Sequence, residues 1–254
     1  MNILALETGG AAVGIAALVC GANSAAPLAA RTLAQTRQLS SQIIACIDAT
    51  LRQAGWTLED VDAVVVGLGP GSWTGLRIGL TTCKTLAQVR GWALCGVPTF
   101  DAMAYGIWHA AQEDDAASTL SLPEHFLILA TAPCRADEIY GKIYECHSEY
   151  LSIVQSEWIG TAELMAAAAG AEALAREIEA PLVLVGAASP AVEVVLAGQK
   201  VPSMTFPMTA EVLAVEIGRH GALLLEDEGA ADPLALQPLY LAPSAAERNL
   251  VNAG

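Results

Sequence analysis

Asp62-Ala-Val-Val-Val-Gly-Leu-Gly-Pro-Gly-Ser-Trp-Thr-Gly-Leu-Arg-Ile-Gly-Leu80 is the stretch on which the reading of this chain turns. Val64 to Val66 form a β-branched run suited to a buried strand. The nine residues that follow hold four glycines and a proline, and a helical pattern begins near Leu76. A strand, a tight glycine loop and a helix start can bring backbone N–H groups close to an anion.

The common nucleotide loops do not fit. A P-loop requires Lys directly after its last glycine, but Gly75 is followed by Leu76 and Arg77, and Lys84 lies two turns on. The dinucleotide fingerprint fails at its third glycine, where Ser72 or Thr74 stands instead. A nucleophile elbow fails because Ser72 sits one place early between Gly71 and Gly75. Ser72 and Thr74 are instead expected to fix the loop and the helix start through backbone hydrogen bonds.

Outward from this stretch, 254 residues are enough for two modest domains or one large one. Hydrophobic residues make up 54% and aromatics only 5%, so the core must come from Ala, Val, Leu and Ile. The opening Met1-Asn2-Ile3-Leu4-Ala5-Leu6-Glu7 lacks a basic region and reads as a strand, not a signal peptide. No apolar run reaches the roughly 18–20 residues that cross a bilayer. The expectation is a cytoplasmic protein with no membrane partner.

The net charge of −15 leaves no basic patch with which to grip nucleic acid unaided. The cysteines at 20, 46, 83, 95, 134 and 146 form no C-x-x-C pair and read as small buried hydrophobes in a reducing compartment. His109, His125, His147 and His220 are scattered, with neither H-x-x-x-H nor H-E-x-x-H, so no metal site is visible along the chain.

Ile3 to Leu6 and Val13 to Val19, separated by Thr8-Gly9-Gly10, predict a β-hairpin. Leu39, Ile43, Ile47 and Leu51, widened by Ile44, predict a helix from Ser40 that stops at Gly55. The helix after the glycine loop should reach about Arg90, followed by a strand from Ala93 to Val97. An acidic stretch from Gln112 to Pro123 reads as a linker. Strands follow over Phe126 to Ala130, Glu138 to Cys146 and Leu182 to Gly186, with an alanine-rich helix from Thr161 to Glu179 and another after Pro190. The first strand and the later buried strand lie 61 residues apart from Ile3 to Val64, and 56 apart from Leu127 to Val183. This is the pattern of a degenerate internal duplication.

Gly67-x-Gly69-Pro70-Gly71-Ser72-Trp73-Thr74-Gly75-Leu76-Arg77-Ile78-Gly79 resembles the signature G-R-G-P-G-S-F-T-G-[LV]-R-I-G of the bacterial TsaB (YeaZ) family. The likeness continues through Lys84, Leu86 and Ala87, through Arg135, Glu138 and Tyr140, which resemble D-A-R-x-x-E-V-Y, and through Pro238-Leu239-Tyr240-Leu241, which resembles P-x-Y-[LV]. The resemblance implies an α/β, actin/sugar-kinase/Hsp70-like (ASKHA) duplicated ribonuclease H-like fold, with a mixed five-stranded sheet in each domain. The domains expected are 1–110, a linker over 111–123, a degenerate second domain over 124–243 whose last helix (about 209–228) packs back on the first, and a tail over 244–254.

The resemblance implies a role in forming N6-threonylcarbamoyladenosine at position 37 of ANN-decoding tRNAs, as a non-catalytic scaffold or activating subunit. Its partners would be a TsaD-like catalytic subunit and a TsaE-like ATPase. The tRNA would be met only through the complex, and the chain alone would form a homodimer. It implies no cofactor on this chain, with ATP/ADP and a metal on the partner subunits. Relatives of the TsaD type carry a metal-binding His-x-x-x-His where this chain has Thr99 and Met103, neither a plausible ligand for a hard or borderline cation.

The family opens with Asp-Thr-Ser where this chain has Glu7-Thr8-Gly9, which leaves Glu7, Thr8 and Gly9 as weak candidates for binding a cofactor. Arg37-Gln38-Leu39-Ser40 replaces Arg-x-His-Ser, and Pro133-Cys134-Arg135 replaces Asp-Ala-Arg. These departures bear on the ligand chemistry of the cleft, not on the fold. Asp101 reads as a helix-start residue favoured by the dipole.

The family pairs through its first two helices. On the second of these, Gly75, Gly79 and Thr82 make a small-residue stripe beside Leu76, Leu80, Cys83 and Ala87. Arg77, Thr81, Lys84 and Gln88 make a polar edge. With Ile43, Ile44, Ile47, Leu51 and the loop residue Trp73, these form the expected partner interface, the other reading being that both stripes pack on their own sheet. A glutamate at Leu80 or Ile47 is expected to abolish dimerisation and leave the fold intact. The alternatives for function are an autonomous ASKHA-fold enzyme, either a small-molecule kinase or a glycoprotease-like hydrolase, and a nucleotide-binding module without turnover.

Overall fold

The computed structural model describes residues 1–21, 24–34, 38–112 and 122–242. The expected tail over 244–254 and most of the expected linker, residues 113–121, lie outside the described residues, as does Arg37. Among the described residues, ten strands form two five-stranded sheets. In the first, β1 (Asn2–Glu7), β2 (Ala12–Gly21) and β3 (Ser24–Ala34) run as an antiparallel meander. The parallel strands β4 (Ala63–Gly67) and β5 (Ala93–Val97) extend it on the other side of β1.

The second sheet repeats that plan. An antiparallel meander of β6 (His125–Arg135), β7 (Glu138–His147) and β8 (Leu151–Gly160) is extended beyond β6 by parallel β9 (Leu182–Val185) and β10 (Ser203–Phe206). The strand orders β3-β2-β1-β4-β5 and β8-β7-β6-β9-β10 are therefore the same topology twice. The duplication expected from the spacing of buried strands is an architectural one.

Helices complete five layers. α1 (Leu39–Gln53) and α2 (Trp73–Arg90) cover the outer face of the first sheet, where Leu4, Leu6, Val64 and Val66 meet Ile43, Ile47, Leu80 and Cys83. α4 (Ala162–Ala175) and α5 (Ser189–Gly198) cover the outer face of the second. Between the sheets, α3 (Thr99–Gln112) and α6 (Ala210–Asp227) pack against each other in one continuous core with Ile3, Ala5, Phe126, Ile128 and Val183. The two inner helices are exchanged. α3, from the first half of the chain, lies on β6, β7 and β8, while α6, from the second half, lies on β1, β2 and β3.

Three strands escape the sequence pattern: β3, β8 and β10. Each stands at the edge of a sheet, so none shows the apolar run that marked β4 or β9. β3 carries Pro27 and small alanines, which depress strand propensity but are tolerated at an edge. α2 begins at Trp73, three residues ahead of the expected Leu76, because Ser72 already caps it: its hydroxyl accepts from the Gly75 N–H at 3.2 Å.

Candidate functional site

Between the sheets lies a cavity of about 660 Å³, lined on one side by Glu7, Gly9, Gly71, Ser72, Thr99 and Met103. Thr131, Pro133, Gly186, Pro190 and Phe206 line the other. β1 ends at Glu7, β4 runs into the glycine loop, and β5 passes through Pro98 to the start of α3 at Thr99. Parallel strands end side by side, so these three termini meet at one point of the cleft.

Glu7 is fully buried there. Its Oε1 accepts the Gly9 N–H at 2.5 Å, and its Oε2 accepts the Thr99 hydroxyl at 2.8 Å. Thr99 Oγ1 in turn accepts the Gly69 N–H at 3.1 Å. One threonine thus joins the carboxylate of β1 to the glycine loop. Burial pushes the Glu7 carboxyl above its ordinary range, and the hydrogen bonds from Gly9, Thr99 and the Thr8 backbone offset only part of that shift. Gly67 stands against this carboxylate: a Cβ there would lie 2.1 Å from Glu7 Oε2.

Several N–H groups of the glycine loop and the start of α2 have partners within the chain. Leu68 donates to the Val97 carbonyl and Ser72 to the Gly9 carbonyl, each at 2.8 Å. Gly69 and Gly75 donate to the hydroxyls of Thr99 and Ser72, and Leu76 to the Ser72 carbonyl at 2.9 Å. These bonds clasp the loop to the β1–β2 turn and the start of α3.

The residues expected to face a partner divide into two sets. Ile43, Ile47, Leu51, Leu76, Leu80, Cys83 and Ala87 are buried under α1 and α2 against their own sheet. Gly75 is buried too, and Gly79 takes the side chain of Thr8, whose Oγ1 lies 2.1 Å from where a Cβ would stand. The small-residue stripe is therefore used within the chain. Apolar periodicity marks the face a helix buries and is silent about what buries it. The expectation that glutamate at Ile47 or Leu80 spares the fold is corrected for the same reason, since these side chains are 2% and 5% exposed. Ile44, at 54%, and Arg77 remain on the surface, with Lys84 partly so.

Trp73 lies face to face with Tyr240, with ring centroids 3.9 Å apart and planes at 11°. Arg77 sits over the Trp73 ring at 4.7 Å, and its Nε donates to the Tyr240 hydroxyl at 2.9 Å. The same C-terminal segment donates the Leu239 N–H to the Leu68 carbonyl and the Ala231 N–H to that of Leu94, each at 2.8 Å. The Pro238–Leu241 phrase thus straps the glycine loop, a role that sequence reading did not give it.

Asp101 does more than favour a helix start. Its Oδ1 accepts from Lys142 Nζ at 2.6 Å and from the Tyr144 hydroxyl at 2.5 Å, and Lys142 also reaches Glu157 Oε1 at 2.9 Å. Lys142 is only 3% exposed, so this network ties α3 to β7 and β8 through a desolvated charge. Burial and the Asp101 charge push the Tyr144 phenol well above its ordinary range. His125 and His147, distant along the chain, are cross-strand neighbours with stacked rings. All six cysteines are free. No described helix is long and apolar enough to cross a membrane.

A family model described as TsaD, tRNA N6-adenosine threonylcarbamoyltransferase, matches residues 28–130. The chain is similar to the tRNA threonylcarbamoyladenosine biosynthesis protein TsaB of Escherichia coli K12, 30% identical over 109 residues that make up 43% of this chain and 42% of that protein. It is likewise 30% identical to TsaB of Haemophilus influenzae over 140 residues, 55% of this chain and 52% of that protein. The chain spans about half the length of the curated relatives it matches. A Pseudomonas aeruginosa structure with similarity to the peptidase YeaZ superposes at TM-score 0.66 and 20% identity, over 95% of this chain and 99% of that one. A glucokinase from an Antarctic psychrotroph shares the fold at TM-score 0.51 and 12% identity, over 87% and 99%.

Proposed function

We propose, on the premise that the TsaB matches and the YeaZ fold support the TsaB/YeaZ family, that this chain serves N6-threonylcarbamoyladenosine formation in tRNA as a non-catalytic scaffold or activating subunit. The observation that carries this reading is the bond from Thr99 to Glu7 in the cleft. TsaD-type relatives would place the first metal-binding histidine where Thr99 stands, and the second where Met103 stands. Here the first position locks the cleft's carboxylate to the glycine loop, and the second is a thioether facing the cavity. A hard or borderline cation has little use for either donor.

In this reading the chain works in the cytoplasm beside a TsaD-like catalytic subunit and a TsaE-like ATPase. The partner subunits carry the ATP/ADP and the metal of the transfer reaction. The acidic surface, with 27 acidic against 12 basic residues, favours meeting tRNA through the complex. The partner contact is built on the exposed rims of α1 and α2, around Ile44, Arg77 and Lys84, and the same rims pair two copies when the chain is alone. The buried stripe behind them shapes the surface without touching a partner.

Size-exclusion chromatography of the chain with a TsaD-like subunit tests this directly. A stable complex, lost on Ile44→Glu with the fold retained, is the expected result. Separate elution of the two proteins under all conditions would refute it. The cavity favours a second reading, a nucleotide-binding module, which calorimetry with ATP and ADP decides.

A further inference from the structure

We propose that His125, Glu145 and His147 form a binding site for a single divalent transition-metal cation of the Zn²⁺ type, at the end of the second sheet remote from the cleft. Among the described residues these three are the one group of histidine, cysteine and carboxylate donors close enough to share an ion, with all donor atoms within 4.8 Å of one another.

The site follows from strand geometry. His125 and His147 face each other across the antiparallel β6–β7 pair, and Glu145 lies two residues before His147 on the same face of β7. Twenty residues of chain separate Glu145 from His125, so no short motif exists to reveal it. β6 runs from His125, at this site, to Pro133, which lines the cleft.

The two carboxylate–imidazole spacings suit a small ion, which the stacked imidazole rings reach by turning their nitrogens toward it. Glu145 Oε1 lies 2.9 Å from His125 Nε2 and 3.6 Å from His147 Nε2. Two donors about 2.05 Å from a tetrahedral zinc stand roughly 3.3 Å apart, a value these two distances bracket. Two imidazoles and one carboxylate, with a further position open to water, suit zinc and its neighbours better than Mg²⁺ or Ca²⁺. All three side chains are partly exposed, so an ion can enter from solvent.

Surrounding groups hold the donors in place. Glu145 Oε2, the oxygen turned away from the histidines, is met by Arg176 Nε at 3.4 Å, and Arg176 is itself paired with Glu172. This leaves Oε1 aimed at both imidazoles, which is how an outer partner orients a ligating carboxylate. His147 is pinned through its backbone, its carbonyl taking the Trp108 indole N–H and its N–H donating to the Tyr150 carbonyl, each at 2.8 Å. The Tyr150 ring packs on the other face of the imidazole at 4.4 Å. Cys146, between the two β7 donors, points to the opposite face and is buried, so it offers no donor here.

The test is calorimetric titration of the full chain with Zn²⁺ alone, beside His125→Ala, His147→Gln and Glu145→Gln, each checked by circular dichroism and metal-free melting. The expected result is one Zn²⁺ per chain, with affinity in each variant falling by more than the 10–100-fold that an outer partner is worth. Zn²⁺ should raise the melting temperature of the parent and not of the histidine variants. Bound Co²⁺ should show visible d–d bands with no thiolate charge-transfer band. No binding, binding that persists in the folded histidine variants, or a thiolate band would each overturn the proposal.

Discussion

Thr99 of α3 donates its hydroxyl to Glu7 of β1 at 2.8 Å while its oxygen accepts the Gly69 N–H, and this places one small side chain at the crossing of three sheet termini. That crossing is closed by its own hydrogen bonds. Thr99→Val keeps the shape and removes both bonds, stranding a buried carboxyl oxygen and a buried N–H. The expected cost is about 2 kcal/mol of stability in denaturant unfolding, with Thr99→Ser losing less than half of that. Equal stability of the valine variant would show that the crossing is not held this way.

The buried Glu7 carboxyl gives stability a pH dependence of definite sign. Its folded value lies above the ordinary 4.5, so the folded state holds the proton more tightly than the unfolded chain. The resulting contribution is full below 4.5 and is lost as pH rises through the folded value. Relative to Glu7→Gln, the parent should therefore lose stability from acid toward neutrality. Parallel stability–pH curves for the two proteins would contradict this.

Tyr240 closes the C-terminal strap over the glycine loop. Tyr240→Ala removes the ring stack and the bond to Arg77, and is expected to cost about 1–2 kcal/mol. Trp73 should shift its fluorescence toward that of a solvated indole. Faster amide exchange at Leu239, whose N–H bonds the Leu68 carbonyl, would mark the strap as the element released. Unchanged fluorescence and exchange would show that the stack contributes nothing.

Ile44 and Ile47 stand one turn of α1 apart yet differ in what a charge there does. Ile47→Glu places a carboxylate in a packed core and is expected to unfold the chain, whereas Ile44→Glu leaves melting unchanged and weakens self-association. Sedimentation of both variants beside thermal melting distinguishes the two effects. A folded Ile47→Glu, or an Ile44→Glu chain that self-associates as the parent does, would require a different interface.

The central part of the fold was legible because it is encoded in local pattern. Val64–Val66 had to be a buried strand, the Leu39–Leu51 spacing a helix, and Ser72 a cap. β3 and β8 were not legible, since an edge strand needs only one neighbour and tolerates alanine, proline and polar residues. The exchange of α3 and α6 was only half visible. Packing α6 on the first sheet was expected, but nothing local tells that α3 lies on the second, where Lys142 meets Asp101 across 41 residues of chain. The His125–Glu145–His147 cluster shows the same limit, because strand register assembled it and no spacing along the chain does. The stripe on α1 and α2 was legible as a buried face but not as to what buries it, because a core face and a docking face share one periodicity.

The most direct measurement is threonylcarbamoyl incorporation into tRNA, reconstituted from a TsaD-like subunit, a TsaE-like ATPase, ATP and threonylcarbamoyl donor, with this chain present, absent or alone. Modification is expected only when this chain joins the catalytic subunit, with none from the chain alone. Full modification in its absence, or transfer by this chain alone, would contradict it.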